Sequence, residues 1–81
     1  MTRTDIDTAL AEEFHKIAPD VSMDDIDRAG DLREEFDIDS MDFLKLVTAL
    51  GKRFGLPMPE SDYPRMESFD AFSAYLQDQL N

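Results

Sequence analysis

An all-α fold is what this sequence predicts: a small antiparallel helical bundle of three main helices plus one short helix, with a long loop between the first and second helices. Three observations carry that expectation. Apolar residues recur at helical spacing in three separate segments, no segment alternates in the manner of a strand, and prolines and glycines punctuate the gaps. At 81 residues, 42% of them hydrophobic, the chain has material for one core and reads as a single domain over residues 1–81. A chain this short buries only about 60% of the surface that its unfolded form exposes.

The first segment places Ile6, Ala9, Leu10, Phe14 and Ile17 on one helical face. Thr4 is the expected N-cap, because its hydroxyl can accept an otherwise unpaired backbone N–H. Pro19 ends the helix by biasing Ala18 out of the α region. From Pro19 to Asp39 acids mix with scattered apolar residues, which reads as a loop pinned to the core by Val21, Ile26, Leu32 and Phe36, with room for one helical turn near Met23 to Ile26. The helical pattern returns from Ser40 to about Phe54, where Phe43, Val47, Leu50 and Phe54 fall on one arc. Asp42, Lys45, Lys52 and Arg53 face away, and Met41 falls among them, so Met41 is expected to be exposed. Gly55 suits the residue that ends this helix, and Pro57 and Pro59 forbid its continuation. Glu60 to Tyr63 form one expected turn before Pro64. Ser68 then caps a last helix bearing Phe69, Phe72, Leu76 and Leu80.

The charge is lopsided. Nineteen acids against eight bases give −11 at pH 7, which argues against nucleic acid and anionic membranes as partners and for basic proteins. The stretch from Pro19 to Asp39 holds nine of the acids and two arginines, a net −7. Cysteine is absent, so neither a disulfide framework nor a thiolate metal site is expected. The N-terminus carries no apolar signal core and no apolar run reaches membrane-spanning length, so no membrane insertion and a soluble, cytoplasmic, monomeric protein are expected.

Acids in such number invite a calcium loop, but the spacing fails. With Asp25 at position 1, Ala29 falls at position 5 and Phe36 where a bidentate Glu belongs; with Asp37 first, Met41 and Asp42 fill positions 5 and 6. No metal site is expected. His15 is the one histidine, and no nucleophile elbow accompanies it, so no catalytic residue is assigned. The remaining feature is Asp39-Ser40-Met41-Asp42. Asp39 reads as N-cap with Asp42 at N3, close to a capping box, which puts Ser40 at N1. There its hydroxyl projects at the mouth of a helix, where unpaired N–H groups and the positive end of the dipole favour an attached anion such as a phosphodiester. Ser and Asp are also simply common at helix starts.

The stretch Ile38-Asp39-Ser40-Met41-Asp42-Phe43-Leu44-Lys45-Leu46-Val47 resembles the attachment motif of the acyl carrier protein family, an Asp-Ser-Leu core followed by a helix of spaced aliphatics. The likeness extends over almost the whole chain: a first helix, a long acidic loop, Asp-Ser at the second helix, Phe54 ahead of Met58-Pro59-Glu60, and a last helix. It implies a stand-alone carrier, not an enzyme, whose Ser40 bears a covalent 4′-phosphopantetheine arm derived from coenzyme A. The implied partners are a phosphopantetheinyl transferase, which would supply its own base and metal ion, and acyl-loading and acyl-processing enzymes. Asp39, Met41, Asp42 and Lys45 become expected partner contacts. Phe43, Leu46, Val47, Leu50, Met58, Met66 and Phe69 become the expected lining of an acyl cavity, although core packing explains each equally well.

Two departures from that family's pattern stand out. Ser40 to Gly55 sets Asp42 against Lys45, Lys52 and Arg53, a net +2, where housekeeping fatty-acid carriers present several Glu residues. Phe36-Asp37-Ile38 replaces a Leu-Gly-Ala type of lead-in. Both point toward a specialised lipid, fatty-acid or polyketide pathway. Two other readings stay open on sequence alone: a non-covalent acidic helical adaptor for a basic partner, and a hydrolase using Ser40.

Overall fold

The computed structural model describes residues 2–80. Its helices are α1 (Arg3–Ile17), α2 (Leu32–Glu35), α3 (Ser40–Phe54) and α4 (Phe69–Leu80), with 3-10 turns at Met23–Asp25 and Glu60–Met66. Among the described residues there is no strand, so the helical bundle is as expected. α1 packs against both α3 and α4.

The start of α1 corrects one expectation. Thr2 is the N-cap in place of Thr4: its hydroxyl accepts the Asp5 N–H at 3.2 Å, and the Asp5 carboxylate accepts the Thr2 N–H at 3.3 Å. A reciprocal box needs an acceptor three residues on. From Thr4 that residue would be Asp7, whose carboxylate is taken by Arg28 and by the Ser73 hydroxyl.

The long loop is more ordered than its composition suggests. The turn at Met23–Asp25 is capped by Ser22, whose hydroxyl accepts the Asp24 N–H at 3.3 Å. α2, unexpected from the sequence, is capped by Asp31, whose carboxylate accepts the Arg33 N–H at 2.9 Å and the Glu34 N–H at 3.4 Å. Leu32 and Phe36 are buried, while Val21 and Ile26 pack half-buried against the core. Two backbone bonds fasten the loop to the far end of the chain: Leu32 N–H to the Glu67 carbonyl at 2.8 Å and Asp70 N–H to the Arg28 carbonyl at 3.0 Å. Arg28 adds ion pairs to Asp7 of α1 at 3.0 Å and Asp70 of α4 at 2.9 Å, and its guanidinium covers the Phe69 ring. The second 3-10 turn also runs further than expected, through Pro64 to Met66. The proline ring fixes φ within the range that a 3-10 turn requires, so it extends the turn instead of ending it.

The core is built from one stripe per long helix: Ile6, Leu10 and Phe14 of α1, Leu46, Val47 and Leu50 of α3, and Phe69, Phe72 and Leu76 of α4. Phe14 sits at its centre, stacked on Phe36 with ring centroids 4.1 Å apart and 6.0 Å from Phe69. Phe43 and Phe54 are only half-buried, so the arc of α3 is rotated toward Leu46 relative to the sequence expectation.

Among the described residues two polar side chains are buried, Ser73 and Glu13. The Glu13 carboxylate of α1 accepts hydrogen bonds from Arg53 of α3 at 2.9 Å and from Lys16 at 3.2 Å. Burial pushes its pKa up, but those hydrogen bonds and the two positive charges outweigh burial and hold the carboxyl below the usual range. A carboxyl whose pKa is lowered on folding contributes stability above its unfolded value, near 4.5, and loses it as pH falls through the lower folded-state value. Glu13→Gln is therefore expected to be less stable than the wild type at neutral pH, with the difference shrinking as pH falls below 4.5. Urea midpoints of both proteins across that range check it. Acid limbs that stay parallel would mean that the pair contributes nothing.

Candidate functional site

Ser40 owes its position to the three residues before it. Asp37 takes a left-handed conformation, φ 52°, where α2 ends and the chain reverses: Asp37 N–H meets the Glu34 carbonyl at 3.3 Å and Ile38 N–H the Arg33 carbonyl at 3.0 Å. Ile38 then turns into the core, 8% exposed. Asp39 caps α3, its carboxylate accepting the Asp42 N–H at 2.9 Å. The reciprocal bond of a full capping box is absent among the described residues. With Ile38 buried and the helix beginning at Ser40, the side chains of Asp39, Ser40 and Met41 are all exposed.

The Ser40 hydroxyl has no hydrogen-bond partner among the described residues, and neither do the N–H groups of Ser40 and Met41. First-turn N–H groups lack intrahelical acceptors and together carry the positive end of the helix dipole. Beside Ser40 opens a cleft of about 300 Å³ between α2, α3 and the second 3-10 turn. Leu32, Phe43, Tyr63 and Met66 supply its apolar wall, and Asp31, Arg33 and Glu67 its charged rim. Phe43 stands edge-on to Tyr63, ring centroids 5.4 Å apart, and 6.4 Å from Phe72.

Of the residues expected around an acyl chain, Phe43 and Met66 line this cleft with Ser40. Val47 and Met58 line a different groove, with Gly51, Leu56 and Pro57. Leu46, Leu50 and Phe69 lie in the core, each at most 1% exposed. Met41 is 61% exposed, Lys45 is exposed and Asp42 half-buried. The residues that sequence reasoning missed are Asp31, Leu32, Arg33, Tyr63, Pro64 and Glu67 of the cleft, and Leu44, 45% exposed beside Met41. Asp31 three residues before Glu34 is itself an N-cap signal, and Leu44 falls on the same side of the helical wheel as Met41. His15 lines a cavity with Pro19, Met23 and Phe36 that does not include Ser40. Among the described residues no cluster of three His, Asp or Glu is placed to hold a metal ion, and no helix is long and apolar enough to cross a membrane.

A family model for the phosphopantetheine attachment site matches residues 6–76. The chain belongs to that family. No match is found among curated proteins. This phosphopantetheine carrier domain is a site of covalent 4′-phosphopantetheine attachment, as its resemblance to acyl carrier proteins implied, and the non-covalent adaptor reading is not favoured. Carrier domains of this family are not catalytic themselves. They are substrates of phosphopantetheinyl transferases and present cargo to acyl-processing enzymes. The exposed hydroxyl, the open first turn of α3 and the adjoining cleft fit such a group: nothing within the described protein competes for that oxygen.

Proposed function

We propose that Ser40 bears the arm, and that residues 1–81 form one acyl carrier domain serving a specialised lipid, fatty-acid or polyketide pathway. The observation that carries the reading is the exposed, unpartnered Ser40 hydroxyl at the first position of α3, inside the segment that the family model matches. A Cα radius of gyration of 11.5 Å, against about 12 Å for one folded unit of this length, supports a single domain.

When attached, the arm ends in a thiol that holds acyl groups as thioesters. The chain's own contribution is placement. Asp39 fixes where α3 begins, and Ile38 anchors the backbone just before it. In the attachment step the Ser40 Oγ–H bond breaks and an Oγ–phosphorus ester forms, while the bond from that phosphorus to the nucleotide half of coenzyme A breaks. The proton passes to the transferase, since no base of this chain hydrogen-bonds to Ser40 among the described residues. The free N–H groups of Ser40 and Met41 favour the resulting phosphodiester. Phe43 and Met66 offer apolar surface to an acyl group, and Asp39, Met41, Asp42 and Lys45 lie where an enzyme reaching Ser40 would touch the protein. The remaining residues of the expected cavity, Leu46, Val47, Leu50, Met58 and Phe69, serve packing in this reading. The net positive charge of α3 supports a specialised rather than a housekeeping role.

Incubation with coenzyme A, magnesium and a broad-specificity phosphopantetheinyl transferase is expected to add one phosphopantetheine to the wild type and none to Ser40→Ala, read by intact mass. Addition to the alanine variant, or none to the wild type while a known carrier is modified alongside, would overturn the assignment.

A further inference from the structure

The outer face of α3 carries a pattern that attachment at Ser40 alone does not explain. Met41 and Leu44 are the exposed large hydrophobics of the described residues, 61% and 45%. Together with Lys45, Thr48, Ala49 and Lys52 they line an open, mostly apolar groove of about 410 Å³. The cations of the molecule divide sharply around it. Arg3, Lys16, Arg28, Arg53 and Arg65 each lie within 4.0 Å of a carboxylate. Among the described residues Arg33, Lys45 and Lys52 have no carboxylate within that distance. Two of them, Lys45 and Lys52, belong to α3 and line the groove, and Arg33 lines the cleft beside Ser40. In a chain with nineteen acids, cations left unpaired at the groove and the cleft are available for carboxylates from outside.

We propose that this face docks a partner protein whose contact surface presents an apolar side chain between carboxylates. The proposal rests on the carrier reading, because a protein seated there stands beside Ser40. An exposed apolar pair gains from burial, and the lysines beside it set the sign of charge that can approach. A basic docking patch would meet repulsion from Lys45 and Lys52 and would be drawn to the acidic stretch before Ser40 instead. The face thus selects against enzymes built for a uniformly acidic carrier.

The test uses isotope-labelled Ser40→Ala protein, which removes the attachment position, and two amphipathic helical peptides about four turns long. They share one leucine stripe, flanked by glutamates in one and by lysines in the other. At low salt the glutamate peptide is expected to give saturable NMR shifts at Met41, Leu44, Thr48 and Lys52. Its binding is expected to weaken at least about tenfold in Lys45→Glu/Lys52→Glu, with α3 now preferring the lysine peptide. Neither lysine makes an ion pair within the described protein, so the double variant is expected to keep its helical circular dichroism. A glutamate peptide that leaves α3 unshifted, or a lysine peptide preferred there by the unaltered face, would overturn the proposal. So would α3 shifts that grow with protein concentration alone, which would assign the face to a second copy. Modification of Ser40, read separately by mass on the wild type, distinguishes failure of the carrier reading from failure of this one.

Discussion

Phe14→Ala is expected to cost about 3–5 kcal/mol of stability, the range for removing a fully buried aromatic ring that the surroundings cannot refill. Phe14 is 1% exposed and touches two further rings, Phe36 of the segment before Ser40 and Phe69 at the start of α4. Its loss therefore removes the contact at which three parts of the chain meet. A domain of this size has roughly 4–12 kcal/mol in total, so the variant is expected to lose about a quarter or more of its stability. Phe43→Ala is the control. That ring is half-buried on the wall of the cleft, and its loss is expected to cost only about 1–2 kcal/mol. Urea titrations of both variants check the ordering; equal losses would show that the core is not centred on Phe14.

Leu32→Ala is expected to cost about 2–4 kcal/mol and to act locally as well as globally. Leu32 is 2% exposed, and its backbone N–H holds the Glu67 carbonyl. Four residues of α2 cannot hold themselves together, since an isolated helix that short lies far below the length at which helices become stable in water. α2 therefore depends on that one buried side chain and its cap. Native-state hydrogen exchange of the variant is expected to show the Leu32 and Asp70 amides, both bonded between the loop and the chain's C-terminal part, opening before the amides of α1. The transferase is expected to need a higher carrier concentration for half-maximal rate, because the segment leading into Ser40 is less well held. Uniform loss of protection across all helices would show that α2 and the bundle open as one unit.

The long helices were legible in the sequence because elements of 12 to 15 residues display their period. α3 begins at Ser40 and ends at Phe54 as expected, with Gly55 left-handed at φ 67° behind it, and the Ser68 hydroxyl accepts the Ala71 N–H at 3.0 Å at the start of α4. What the sequence hid are the pieces whose structure is set from elsewhere. α2 is too short for periodicity to register, and its place follows from contacts with Glu67 far along the chain. The N-cap of α1 was misplaced because Thr2 and Thr4 look alike until the commitments of Asp5 and Asp7 are known. At the candidate site the exposure of Met41 was readable from the helical wheel. The composition of the cleft was not, because tertiary packing of a 3-10 turn brings Tyr63 and Met66 into the cleft that Ser40 also lines.

Asp37 stands where the lead-in pattern of the resembling family has a glycine, and its left-handed backbone makes sense of that correspondence. Aspartate is among the few side chains that visit such a geometry, whereas a β-branched one strongly resists it. Valine or isoleucine at position 37 would have to unwind the reversal, pulling Ile38 from its socket and dragging the serine out of register with whatever machinery grips it. Which residues position 37 tolerates is thus governed by a single torsion angle, φ 52°, and not by a hydrogen bond of its side chain.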